Sequence, residues 1–165
     1  MEVLIMTINL TQKERTLLQD QKNSEELCVK KYNDYASKAQ SQQLKQLFSN
    51  FATMEQEHLN SINQILNGQI PQMNQQQGQQ QQQQNQLNQQ VQNQKGSFIG
   101  SQDDANLCND MLMTEKYVSG AYDTSIFEMT DTNVRQVLNH IQKEEQEHGE
   151  GLYNYMKNNG MYNAK

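Results

Sequence analysis

Cysteine is scarce in this chain of 165 residues; Cys28 and Cys108 are the two it has. They form no CxxC and no zinc-type spacing, which argues against a disulfide framework and against a structural zinc site. Both are expected as reduced thiols buried in helices. Basic clusters are missing as well. With 13 Lys and Arg against 19 Asp and Glu, the net charge is -6 and the isoelectric point about 5.0. The electrostatic footprint of a nucleic-acid binder is therefore absent, and no polyanionic partner is expected. No apolar run is long enough to cross a bilayer. The opening "MEVLIMTINL" is too short and lacks the basic start and small-residue cleavage site of a signal peptide, so cytoplasmic synthesis without membrane insertion is expected. Strand patterns are missing throughout. Hydrophobic residues themselves are few, at 34% with a mean hydropathy of -1.00. Much of that deficit is local, because a Gln-rich block from about Gln69 to Gln94 dilutes the average. The arms on either side hold enough Leu, Ile, Val, Met, Phe and Tyr to bury one domain's core.

Four helices can be read in those arms. The first opens at "TQKE", where Thr11 and Glu14 are spaced as a capping box, and runs to about Ala39. A polar turn around Ser41 leads into the second, from about Gln43 to Asn67, which Gly68 and Pro71 stop. The third opens after "GSQDD" with Ser101 as N-cap and ends near Thr130. The fourth runs from about Asn133 to Asn158, with Gly160 as its exit. The chain thus divides into an N-terminal extension (1–10), a first helical hairpin (11–68), a Gln-rich linker (69–100) and a second hairpin (101–165). The linker cannot bury enough apolar surface to offset its ordering entropy and is expected to be disordered. The second helix, with about 25 residues, is about 37 Å long. A flexible linker of about 30 residues spans roughly 30 Å on average and reaches much further when extended. It can carry the chain back along the bundle, so the fold expected is all-α, a ferritin-like four-helix bundle with one long crossover.

The tetrapeptide "EQEH" occurs at Glu55–His58 and again ninety residues later at Glu145–His148. The same shift lays Glu25 on Glu115, Tyr32 on Tyr122, Leu44 on Val134 and Phe51 on Ile141, as an internal duplication would. Spacing carries more weight than identity. The second helix has an apolar stripe of Leu44, Leu47, Phe48, Phe51, Ile62, Ile65 and Leu66, interrupted by Glu55 and His58. The fourth has Val134, Val137, Leu138, Ile141, Leu152, Tyr155 and Met156, interrupted by Glu145 and His148. Periodicity therefore assigns a carboxylate and an imidazole to the core in each, while Glu57 and Glu147 point elsewhere. The first and third helices carry one inward carboxylate each, Glu25 and Glu115. Reflecting each EQEH across its hairpin turn lands on those two positions, with Glu26 competing for Glu25.

One Glu from each of two helices and Glu-x-x-His from each of the other two is the ligand set of ferritin-like dinuclear metal proteins. Two divalent ions need bridging carboxylates, and a His at i+3 caps each ion from the same helical face. Four carboxylates buried without cations would repel one another and be heavily desolvated. The candidate ligands are Glu25, Glu55, His58, Glu115, Glu145 and His148, for iron or manganese. Around them, Tyr32 and Tyr122 are expected as core aromatics whose hydroxyls find polar partners, and Cys28 as a small core residue. Glu128, roughly 20 Å from Glu115 along its helix, is expected to cap or pair near the turn. His140 is expected at the surface.

The second hairpin also resembles a known family. "LCNDMLMTEKYVSGAYDTSIFE", then "VRQVLNHIQKEEQEHGEGLYNYMKNNGMY", looks like the coat F domain of endospore-forming bacteria. The Lys116–Glu128 spacing, the run Glu144–His148 and the terminal pattern Tyr155–Tyr162 carry the likeness. It implies a ferritin-like bundle, synthesis in the mother cell and a place in the spore coat beside other coat proteins. It establishes no enzymatic activity. A Gln-rich insert and several exposed Lys would also suit a coat cross-linked by transglutaminase. Three readings follow: a structural coat component, a dinuclear iron or manganese protein that removes peroxide or oxidises ferrous iron, and a homodimer in which hairpins swap through the linker.

Overall fold

The computed structural model describes residues 7–72, 86, 89 and 101–162. Most of the Gln-rich linker, and all but the end of the N-terminal extension, lie outside the described residues, and so does the expectation that the linker is disordered. Four helices carry the described arms: α1 (Gln12–Lys38), α2 (Gln42–Leu66), α3 (Gln102–Glu128) and α4 (Thr132–Asn158). No strand occurs among the described residues; Thr7 and Gln69 make an isolated antiparallel bridge.

Each helix begins where a side chain can accept its orphan N–H groups. Thr11 caps α1 and closes the capping box expected, since the Glu14 N–H donates to Thr11 Oγ1 and the Thr11 N–H donates to the Glu14 carboxylate. Ser41, Ser101 and Asp131 cap the other three. These caps repeat at the ninety-residue shift, Thr11 with Ser101 and Ser41 with Asp131. Gly68 and Gly160 adopt left-handed backbone (φ 82° and 68°) just past the ends of α2 and α4, which only glycine does without strain. At Gly68 a Cβ would also press on the Ile8 carbonyl at 3.3 Å, where residues Ile8 and Gly68 share a backbone hydrogen bond of 2.9 Å.

The helices pack as a square. α1 lies beside α2 and α3, and α4 beside α3 and α2. The two hairpins run antiparallel to each other. Gln40 at the end of α1 meets Asp103 at the start of α3, Gln21 meets Ser125, and Lys13 meets Glu128. Because α2 ends beside Arg15, whose guanidinium donates to the Leu66 carbonyl, while α3 starts beside Gln40, the connection from 72 to 101 joins opposite ends of the bundle.

The two hairpins are tied at both ends by the same device. Glu14 accepts the Thr130 N–H and hydroxyl, each at 2.7 Å, in the α3–α4 turn. Asp104, ninety residues on, accepts the Gln40 N–H at 2.8 Å and the Ser41 N–H at 3.0 Å in the α1–α2 turn. Between these latches the interior divides in two. One apolar cluster gathers Tyr32, Leu44, Leu47, Phe48, Phe51, Met111, Leu152 and Met156. The other gathers Leu18, Ile62, Ile65, Val118, Val134, Val137, Leu138 and Ile141. A polar layer lies between them.

Candidate metal centre

Glu25, Glu55, Glu115, Glu145, His58 and His148 are all buried and meet in that layer. The helical periods place them there: α1 and α3 each contribute one carboxylate, and α2 and α4 each contribute a carboxylate and an imidazole three residues apart on one face. Glu26 points outward, its carboxylate 4.0 Å from Lys22, so the inward position on α1 is Glu25.

The six side chains form two sets of four donors, and two carboxylates belong to both. His58 Nδ1 faces Glu55 Oε2 at 3.1 Å, Glu145 Oε1 at 3.3 Å and Glu25 Oε2 at 3.8 Å. His148 Nδ1 faces Glu55 Oε1 at 3.1 Å, Glu115 Oε1 at 3.3 Å and Glu145 Oε2 at 3.5 Å. Glu55 and Glu145 thus turn one oxygen toward each imidazole, while Glu25 serves the His58 set alone and Glu115 the His148 set alone. The rings lie nearly parallel, with centroids 5.8 Å apart. Phe51 covers His148, with ring centroids 4.3 Å apart.

Two tyrosines cross between hairpins to hold the outer carboxylates. The Tyr32 hydroxyl on α1 donates to Glu115 on α3, and the Tyr122 hydroxyl on α3 donates to Glu25 on α1. Burial and the carboxylates beside them, Glu115 and Glu25 respectively, push both phenols well above their ordinary range, so they remain donors.

The charges in this layer are poorly satisfied by the protein alone. Glu25 Oε2, Glu115 Oε2 and both oxygens of Glu145 are buried without a hydrogen-bond partner among the described residues. Each Nδ1 carries at most one proton, yet it faces three carboxylates. Burial, then the Glu145 carboxylate, pushes Glu25 well up and Glu115 up to about 7. Burial works to lower both histidines, but the carboxylates around them prevail and raise both well above the ordinary value. Such a set fits small divalent cations. Two donors at right angles, each about 2.1 Å from one ion, lie about 3.0 Å apart, near the shortest spacings seen. Four carboxylates and two neutral imidazoles would also balance two divalent charges.

Two residues near this layer were not legible as part of it. Glu144, read only as part of a motif, is 4% exposed and places Oε2 3.5 Å from His58 Nε2. Its other oxygen contacts His140 Nε2. His140, expected at the surface, is half-buried, because Glu144 one turn on draws the ring against the bundle. The signal was present in the repeat, where Glu144 replaces Met54 and His140 replaces Asn50 at the ninety-residue shift. The other neighbours stand as expected: Cys28 is buried in the core, and Glu128 pairs with Lys13 at 2.9 Å near the turn.

The half of the layer that comes from α3 and α4 lies within one recognisable sequence unit. Residues 103–165 match the coat F domain. The coat F segment supplies Glu115, Glu145 and His148, and the residues before it supply Glu25, Glu55 and His58. No curated protein and no solved structure matches the chain. Among the described residues, no helix is long and apolar enough to cross a membrane.

Proposed function

We propose that this chain is a component of the bacterial endospore coat, made in the mother cell and assembled there with other coat proteins. The match of residues 103–165 to the coat F domain carries this reading. Fractionation tests it. The protein should appear during sporulation and be recovered from the coat extract of purified spores. Recovery from the decoated core, or from vegetative cells in equal amount, would overturn it.

A second reading concerns what the bundle holds, and the two four-donor sets favour it. We infer a ferritin-like dinuclear centre for iron or manganese. Glu55 and Glu145 would bridge, because each offers one oxygen to each set. Glu25 and Glu115 would be terminal ligands, oriented by Tyr122 and Tyr32. His58 and His148 would bind through Nδ1, and Phe51 beside His148 helps keep bulk water out. When bound, such a pair supplies redox chemistry suited to removing peroxide or oxidising ferrous iron. Peroxide consumption or ferrous oxidation by the metal-loaded chain, lost in Glu55→Ala, is the expected result. A loaded chain inert to both would leave the centre a structural one within a coat protein.

A further inference from the structure

The two halves of the donor layer are alike in their ligands but not in what stands behind them. His58 has a carboxylate at its far nitrogen: Glu144 Oε2 lies 3.5 Å from Nε2, at ion-pair distance. Glu144 is buried and is held from its other side by His140 Nε2. His148 has no such support. Its Nε2, like that of His58, is buried without a hydrogen-bond partner among the described residues, but no carboxylate there stands at ion-pair distance from it, and its ring packs against Phe51 and Tyr32, whose ring centroids are 4.3 and 6.2 Å away. The asymmetry is written into the repeat, since the positions ninety residues before Glu144 and His140 hold the uncharged Met54 and Asn50.

A ligating imidazole whose other nitrogen faces a carboxylate is held in one tautomer and orientation and is a more basic donor; losing such a partner typically weakens metal binding about 10–100-fold. We propose that the two cation positions are unequal. The position formed by His58, Glu25, Glu55 and Glu145 binds a divalent ion more tightly and fills first, and Glu144, steadied by His140, is the positioning residue that makes it so. This rests on the dinuclear reading above. The second position, at His148, fills afterwards and loses its ion first, so the centre passes through a singly occupied state at limiting metal.

The test is calorimetric titration of the full-length chain, stripped of metal, with manganous chloride under anaerobic conditions. Electron paramagnetic resonance follows the change from isolated to coupled manganese. Two steps are expected, at least about tenfold apart, with isolated-ion spectra through the first equivalent. Glu144→Gln keeps the shape of the side chain and should weaken the first step about 10–100-fold while leaving the second within about twofold. His140→Asn, outside the donor set, should weaken the same step by a smaller factor, which guards against misfolding of the first variant. His148→Ala should abolish the second step alone. Two ions bound with one indistinguishable affinity, or both steps weakened alike by Glu144→Gln and His140→Asn, would overturn the inequality while leaving the dinuclear centre intact. No binding by the unaltered chain would overturn both.

Discussion

Replacing Glu115 by Gln should stabilise the metal-free chain at pH 8, and bound metal should narrow or reverse that advantage. In the metal-free chain, burial and the Glu145 carboxylate push Glu115 up to about 7 from an ordinary value of 4.5. The folded state therefore holds the Glu115 proton more tightly than the unfolded chain does. The stability this confers is full below pH 4.5 and is lost as pH rises through 7. At about 1.4 kcal/mol per pH unit, the metal-free protein loses about 3 kcal/mol from this group between those limits. Gln keeps the volume and an oxygen to accept the Tyr32 hydroxyl, and it carries no charge at any pH. Metal-free Glu115→Gln should thus be the more stable protein at pH 8, by up to about 3 kcal/mol, or about 6–12 °C in Tm for a chain of this size. The advantage should vanish near pH 4.5. With manganese in hundredfold excess over its dissociation constant the unaltered chain gains about 2.7 kcal/mol, and the variant, short of one charged donor, gains less. The order then narrows or inverts. Thermal melts by circular dichroism at pH 5 and pH 8, with and without manganese, read all four values. A variant less stable than its parent at pH 8 without metal, or one that gains as much from manganese, would refute the reasoning.

Other consequences are as direct. Tyr122→Phe removes the donor that orients Glu25 and should lower affinity at the His58 position about tenfold, and Tyr32→Phe should do the same through Glu115 at the His148 position; metal titration separates them. Glu14→Ala and Asp104→Ala each sever a latch between the hairpins and should each cost about 2 kcal/mol in urea denaturation. Their effects should add, because the latches lie at opposite ends of the bundle. The Glu14 carboxyl is held below its ordinary value, since the N–H groups of Thr130 and Thr11 outweigh burial. Its share of stability is therefore present above about pH 4.5 and is lost as pH falls through the folded value. Gly68→Ala forces a side chain into left-handed backbone against the Ile8 carbonyl and should cost about 1–3 kcal/mol in the same assay.

Much of the bundle could be read from residue order because its signals are local. Caps at Thr11 and Ser101, the polar turn around Ser41 and the glycines at 68 and 160 bound the helices to within a residue or two. The 3.6-residue period then assigned Glu55, His58, Glu145 and His148 to the interior, where charge is costly enough to need a reason. The roles within the layer were not legible. Which carboxylates face both imidazoles depends on side-chain directions across four helices, and sequence spacing gives only the face. Glu144 was missed because it sits beside the stripe, and its contacts with His140 on the same helix and with His58 across the bundle make its burial tolerable. The tie from Glu14 to Thr130 joins residues far apart in sequence, and no local pattern announces it.

The most direct test is the metal content of the chain purified without chelator or affinity-tag metal, measured by plasma mass spectrometry beside a Glu55→Ala/Glu145→Ala control. The account predicts close to two iron or manganese ions per chain, and none in the control, because both carboxylates shared by the two donor sets are gone. A chain that takes up neither metal, even after anaerobic reconstitution with ferrous or manganous salt, would contradict it.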